Sequence, residues 1–319
     1  MQQRTYQKKG PAGKLKVVRE GSGTPLAMLA HEFGQEEAQL AAREGQLAYL
    51  AGLLVQLTMP HSRPATHEYM RTNHVMTVVM AANAVEPKTG QRIGLPYGSI
   101  PRLVLAWLCT RAVQTKDRDI RLGRSLSEFM DHLGLGRTGG TKGDITRLKA
   151  QVKKLFACTM TATAHVQMAD PQGRLREGTR IQHMALVDNS WLPWDPVNPE
   201  QLSLESSTVR LSEQFYRAIV DHPVPLDSVI LARLRRSPMA LDVYAWLTWR
   251  LPQLREPTTV PWEALQLQFG AEYKRLRAFR EKFLGALRTV VGQYPDAKVE
   301  PTPAGLLLKP SKPSVPRLR

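Results

Sequence analysis

One ten-residue segment of this chain occurs twice in closely similar form, and this repetition restricts the possible folds more than any other feature. RLKAQVKKLF at 147–156 and RLRAFREKFL at 275–284 have four identical positions. Two further matches, which we also use as anchors, precede this segment in the same order in both halves of the chain. AWLCTR matches AWLTWR, and Gly134 matches Gly270. The offset between the two copies is 139 residues for AWLCTR, 136 for Gly134 and 128 for the ten-residue segment. These offsets differ only where loops differ in length. Collinear anchors of this kind indicate that one structural unit occurs twice.

The elements predicted around the anchors follow one order in both units. In the first unit, helical spacing of apolar residues and short β-rich runs predict a helix (100–115), a strand (119–123), a second helix (125–136), the helix DITRLKAQVKKLF and the strands CTMTATAHVQM and TRIQHMALV. The second unit repeats the helices as 237–251, 258–270 and AEYKRLRAFREKFLGALRTVVGQY, before two short strands in AKVEPTPAGLLLKP. Helix, strand, helix, helix and hairpin is the order of a winged-helix module. We therefore expect an α+β fold, mainly helical, with two tandem winged-helix domains related by an internal repeat.

The domain organisation follows from this repeat and from shifts in composition. We predict a basic flexible tail (1–24), an N-terminal winged-helix domain for DNA contact and dimerisation (25–190), a linker (191–200), a C-terminal winged-helix domain (201–310) and a basic tail (311–319). The linker contains three prolines, and we expect Trp191 and Trp194 to pack at the junction.

Residues ahead of the first unit are predicted from their leucine spacing. Leu47, Leu50, Leu54 and Leu57 fall three or four apart, which predicts a helix over 35–58. The region 25–75 could be a dimer arm or a helix packed on the first domain. THEYMRTNHVMTVVMAANAV, after the predicted helix, contains a β-rich run.

The charge of the chain indicates a polyanionic partner. Forty-four Lys and Arg against 28 Asp and Glu leave a formal net charge of +16. Nucleic acid is the first candidate, an anionic membrane surface is the second, and a non-specific solvated basic surface is the remaining alternative. We expect no membrane partner, because no run of eighteen apolar residues occurs. The basic N-terminus lacks the apolar stretch of a secretory signal, and Cys109 and Cys158 are expected to be buried free thiols in a reducing cytoplasm.

The third helix of each unit is the predicted DNA-binding element. The last helix of such a trio enters the major groove, so it needs an apolar face for the core and a cationic face for DNA. Arginine can donate two hydrogen bonds to guanine, whereas lysine more often binds phosphate. The RLREG segment at 174–178 is a suitable basic tip for the first hairpin. The candidate DNA-binding residues are Lys274, Arg275, Arg277, Arg280 and Lys282 in the second unit and Lys142, Arg147, Lys149 and Lys153 in the first.

Motifs for catalysis, cofactors and metals are lacking in the sequence. GRTGGTKG does not have the spacing of a phosphate-binding loop, and HEFGQEE lacks the second histidine of a zinc protease. The carboxylates are scattered, and the histidines show no paired metal-ligand spacing. We therefore expect no catalytic residues, no metal, no cofactor and no enzyme activity.

Four segments resemble the plasmid-encoded RepA replication initiators of Gram-negative bacterial plasmids. They are GLPYGSIPRLVLAWLCTRAVQT, LGRSLSEFMDHLGL, TGGTKGDITRLKAQVKKLF and LARLRRSPMALDVYAWLTWRL, and the similarity runs from about 75 to 310. VRLSEQFYRAIV followed by SPMALDVYAWL is similar, more distantly, to the C-terminal half of other iteron-binding initiators.

This resemblance implies a protein that binds direct repeats (iterons) at a plasmid origin, helps to open adjacent AT-rich DNA and recruits host DnaA and the DnaB helicase. It also implies cytoplasmic localisation on the plasmid, self-association into dimers that control copy number, and main iteron contacts from the helix that holds Lys274, Arg275, Arg277 and Lys282. The matching residues of the first domain are Arg147, Lys149 and Lys153, on a helix that follows a longer loop. The alternatives are a transcriptional repressor built from the same modules and a DNA-nicking enzyme with an unrecognised tyrosine.

Overall fold

The computed structural model describes residues 47–56, 58–73, 76–123, 125–169, 174–192, 207–270 and 272–315. Both helices and strands run through these residues, so the predicted α+β class is confirmed. The helices are α1 (Gly52–Gln56), α2 (Ser99–Thr115), α3 (Leu126–His132), α4 (Asp144–Ala157), α5 (Glu213–Val220), α6 (Ser228–Leu234), α7 (Pro238–Arg250), α8 (Trp262–Phe269) and α9 (Leu276–Val291). The strands are β1 (Leu47–Ala51), β2 (Glu68–Thr72), β3 (Met76–Ala81), β4 (Asp119–Arg121), β5 (Thr159–Ala169), β6 (Leu175–Ala185), β7 (Val187–Trp191), β8 (Thr208–Leu211), β9 (Pro223–Asp227), β10 (Thr258–Pro261), β11 (Val299–Pro301) and β12 (Gly305–Leu308).

The first unit consists of α2, β4, α3, α4, β5 and β6. Ser125 caps α3, because its side-chain oxygen accepts a hydrogen bond from the Glu128 N–H at 3.1 Å. Just beyond this helix Gly134 has a φ of +64°, a left-handed conformation that glycine adopts without strain. The helices bury Leu108, Phe129 and Leu148 in the core, as the apolar spacing predicts.

The hairpin of the first unit is long and belongs to an antiparallel sheet with the order β2–β3–β5–β6. β5 and β6 pair from Thr159 opposite Ala185 out to Ala169 opposite Leu175. Within β5, only Thr159–Ala164 also pair with β3. The distal part of the hairpin therefore extends past the sheet as a two-stranded ribbon that ends beside Arg174 and Arg176.

The second unit consists of α7, β10, α8, α9, β11 and β12, and its order of elements is that of the first. Ser237 caps α7 and Pro238 occupies the first turn, where a missing N–H costs no hydrogen bond. The two units differ in their sheets. β10 pairs directly with the hairpin strand β12, whereas β4 pairs with β8, which lies between β4 and β7.

Strands also pair between distant parts of the chain. β1 pairs with β9 from Leu47 opposite Asp227 to Ala51 opposite Pro223. β8, from the predicted C-terminal domain, pairs with β4 of the first unit. The buried apolar residues of both units belong to one cluster. The domain boundaries stay a prediction, although these two strand pairs cross them.

Three local expectations are corrected by the structure. The predicted helix over 35–58 is wrong at Leu47–Ala51, which form strand β1, because hydrogen bonding to β9 outweighs the helical leucine spacing. Trp191 is 63% exposed instead of packed, since it ends β7 on the surface. The third helix of the second unit begins at Leu276, not at 271, so Lys274 and Arg275 precede it. The predictions for residues 1–46, for Trp194 and the other linker residues 193–200, and for the last four residues concern parts of the chain outside the described residues.

Candidate nucleic-acid interface

The apolar face of α9 attaches this helix to the core of the second unit. Phe279, Phe283, Leu287 and Val290 are buried, and they are spaced three or four residues apart. Phe283 packs edge-on against Trp262 of α8, with ring centroids 6.1 Å apart. This packing leaves the opposite face of α9 in solvent.

The cationic face of α9 is concentrated at the start of the helix. Arg275 is the N-cap residue with extended backbone, φ −123° and ψ 127°, so Lys274 and Arg275 lie in the loop that enters α9. Lys274, Arg275, Arg277 and Lys282 are all exposed. None of these four forms an ion pair with any other residue that the structure describes. Unpaired exposed cations at a helix start can bind phosphates or base edges without first breaking an internal contact.

Arg280 has a different environment. Its guanidinium carbon lies 4.7 Å from the ring centroid of Trp262, which is a cation–π contact. The side chain is half-buried. Of the candidate DNA-binding residues of the second unit, Arg280 is therefore the one that packs against Trp262 of α8.

Two of the cations predicted on α4 are engaged within the protein. Arg147 forms an ion pair with Asp144 at 3.1 Å, and Lys153 forms one with Glu86. Lys142 is exposed ahead of the helix, and Lys149 is half-buried. Lys154, which the prediction left out, lies 4.8 Å from the Tyr97 ring centroid, and burial together with Arg63 lowers its pKa. The first unit therefore presents a less available cationic surface than α9 does.

Glu272 is the acidic residue nearest to this cationic start. Its Oε1 accepts a hydrogen bond from the backbone N–H of His61 at 2.8 Å, and its Oε2 accepts one from the hydroxyl of Ser62 at 2.7 Å. The Tyr69 hydroxyl donates to Oε1 at 3.4 Å. Glu272 thus connects the loop before α9 with the segment that leads into β2.

A buried ion cluster joins α2 and α7 close to that contact. Arg102 binds Asp242 through two hydrogen bonds, and His61 Nε2 lies 2.7 Å from Asp242 Oδ2. Burial alone raises the pKa of Asp242, but Arg102 and His61 outweigh it, so its pKa lies below the usual value. These residues were absent from the predicted site. The signal in the sequence is a charged residue within the apolar first half of each helix, which requires a buried partner but does not identify it.

The described part of the chain has neither a membrane-spanning helix nor a cluster of metal ligands. None of its helices is long and apolar enough to cross a membrane. No group of three or more His, Cys, Asp or Glu side chains in this part could hold a metal ion.

Comparison with known proteins gives the family. The family model described as plasmid encoded RepA protein matches residues 95–264, more than half of the chain. A protein with this match is a plasmid replication initiator by family. The chain belongs to the family of plasmid encoded RepA proteins, as the four sequence segments predict. The match ends within α8, so α9 lies beyond it.

Other comparisons are distant. No curated protein matches the sequence. A crystal structure of domains 2 and 3 of RctB is similar to 81% of this chain and 97% of that chain, with 10% identity and a TM-score of 0.46. A second structure of the same two domains, a selenomethionine derivative, covers 77% of this chain and 84% of that chain at 10% identity and a TM-score of 0.45.

Proposed function

We propose that this chain initiates plasmid replication by binding iteron repeats at the origin through two winged-helix domains. The observation that carries the proposal is a set of exposed, unpaired cations: Lys274, Arg275 and Arg277 at the start of α9, and Lys282 further along the helix. A helix start of this kind fits the major groove, where each base pair offers a distinct pattern of donors and acceptors. The net charge of +16 adds attraction to any duplex.

The second unit is the main reader in this proposal, and the first unit is an auxiliary one. Arg147 and Lys153 of α4 already pair with acidic residues, so binding DNA through them costs the loss of those pairs. Tandem domains on one duplex would read successive major-groove faces about one helical turn, ~34 Å, apart. The ribbon that ends beside Arg174 and Arg176 is suited to the DNA backbone.

The remaining steps of initiation follow from the family. The protein would open adjacent AT-rich DNA with binding energy collected over several repeats, because its sequence contains no nucleotide-binding loop. It would then recruit the host DnaA protein and a DnaB-type helicase, and self-association would control copy number. We propose a binding protein and not an enzyme.

Selection from a pool of randomised duplexes tests the DNA-binding part. The expected result is enrichment of one sequence, which fluorescence titration then compares with a scrambled duplex at moderate salt. Arg277→Ala should weaken binding to the selected duplex far more than to the scrambled one, by about 1–3 kcal/mol. Equal losses would reduce Arg277 to a phosphate contact, and no enrichment would overturn the proposal.

Two assays separate the alternative functions. A transcriptional repressor with the same domains would bind a selected duplex but would not support maintenance of a plasmid that depends on this protein. A DNA-nicking enzyme would leave a covalent protein–DNA adduct on labelled duplex, and the proposed function predicts none.

A further inference from the structure

The position of Glu272 in the chain gives its contacts a consequence for DNA binding. It stands two residues before Lys274 and three before Arg275, in the loop between α8 and α9. Its partners His61, Ser62 and Tyr69 lie about 200 residues earlier. Tyr69 belongs to β2, an edge strand of the sheet that contains the first hairpin. Glu272 therefore ties the start of the candidate reading helix to the segment that leads into the sheet of the first hairpin.

A buried arginine stands behind this contact. Arg71 is only 2% exposed, and its Nη2 lies 4.0 Å from Glu272 Oε1. Burial lowers the pKa of Arg71 to about 10, and the negative charges of Glu272 and Asp242 act against that shift. Arg71 also stacks on the Tyr69 ring, 4.0 Å from its centroid. The carboxylate of Glu272 thus lies near a buried positive charge.

The acid at the aligned position of the first unit has different contacts. At the offset of 128 residues that aligns the two third helices, Asp144 corresponds to Glu272 and Arg147 to Arg275. Asp144 Oδ1 binds Arg147 at 3.1 Å, and Asp144 Oδ2 accepts the N–H of Gly136 at 3.2 Å. In the second unit the acid binds Ser62 and the His61 backbone instead, and Arg275 has no acidic partner among the described residues.

We propose that Glu272 is a positioning residue for DNA recognition: by binding the segment at residues 61–71 it places the Lys274–Arg275 loop and keeps its own charge off Arg275. This inference rests on the proposed function, since it concerns how that same surface reads DNA. Base readout depends on the placement of the first residues of the helix, whereas general attraction to phosphate does not. Glu272 therefore contributes to sequence discrimination more than to affinity for any duplex.

The test compares Glu272→Ala with Glu281→Ala in the full chain, on the selected duplex and on a scrambled one. Glu281 is exposed on α9, so its removal takes one negative charge from the helix that Glu272 precedes. Glu281→Ala should raise both affinities slightly and leave their ratio unchanged. Glu272→Ala should instead lower the ratio of specific to non-specific binding about tenfold, the scale of one misplaced arginine–guanine contact. If Glu272→Ala raises both affinities in parallel, as Glu281→Ala does, the inference is overturned.

Further variants keep the test decisive. Ser62→Ala removes the hydrogen bond that the Ser62 hydroxyl donates to Glu272 and leaves Glu272 itself in place. Ser62 is exposed, and its removal should lower the ratio of specific to non-specific binding by a smaller factor. Glu272→Gln retains an oxygen acceptor and should fall between wild type and Glu272→Ala. Should Glu272→Ala fail to fold, Ser62→Ala decides, and an unchanged ratio rejects the positioning role. A wild-type protein that selects no sequence would defeat the proposed function instead, which distinguishes the two failures.

Discussion

Arg102 of α2 and Asp242 of α7 form a buried bidentate ion pair between the corresponding first helices of the two units. Nε donates to Oδ1 and Nη2 donates to Oδ2, each at 2.7 Å. The remaining donors of the guanidinium bind the carbonyl oxygens of Met59, Pro60 and Gly98. All five N–H groups of the arginine are therefore used. A pair this fully bonded resists separation, so it holds α2 and α7 in one relative position.

Removal of the carboxylate should destabilise the whole protein. Asp242→Ala leaves the buried Arg102 charge without its anion, and we expect a loss of about 3–5 kcal/mol in the free energy of unfolding. Asp188→Ala is the matched control, because Asp188 is 46% exposed in its 3.2 Å pair with Arg118. That change should cost no more than about 1 kcal/mol. Urea unfolding of both variants checks the difference, and equal losses would contradict the buried-pair account.

The same carboxylate should make stability depend on acidity. Because the pKa of Asp242 is lowered in the folded protein, its stabilising contribution is present above the unfolded pKa of about 3.9. The contribution is lost as the pH falls from there towards the lower folded pKa. The free energy of unfolding of the wild type should then fall more steeply below pH ~4.5 than that of Asp242→Asn. Parallel curves for the two proteins would argue against a lowered pKa.

The close packing between Gly270 and Phe279 gives a test of the turn before α9. A Cβ added at Gly270 would lie 2.1 Å from Phe279 Cδ2, and Phe279 is fully buried. Gly270→Ala should therefore destabilise the protein by about 1–3 kcal/mol. Gly285→Ala, on α9 with open space around its Cβ, should instead stabilise it by about 0.5–1 kcal/mol. Thermal unfolding of the two variants measures this contrast, and a stabilised Gly270→Ala would refute it.

Aligned arginines of the two units should differ in their effect on DNA binding. Arg275 has no ion pair among the described residues, whereas Arg147 is paired with Asp144 at 3.1 Å. Arg275→Ala should cost about 1–3 kcal/mol in binding to the selected duplex, and Arg147→Ala should cost less. Titration of the two variants against the same duplex compares them directly. A larger loss for Arg147→Ala would make α4 the main reader.

Much of the helical structure was predictable from local patterns. Ser125 and Ser237 cap α3 and α7, and the apolar stripe of α9 is buried where its spacing predicts. Helical hydrogen bonds join residues four apart, so their signals lie within one short segment. The local pattern misplaces the start of α9, because Lys274 and Arg275 adjoin a helical sequence but lie in a loop that Glu272 attaches to His61 and Ser62.

The sequence by itself determined the repeated order of helices and hairpins, the caps, the apolar faces and the cationic character of α9. Only the tertiary structure decided that Leu47–Ala51 form a strand, that Arg102 meets Asp242, and that Glu272 faces Ser62 instead of Arg275. The physical reason is distance along the chain. A strand pair or a buried ion pair gains its energy from a partner more than a hundred residues away, and no local periodicity identifies that partner.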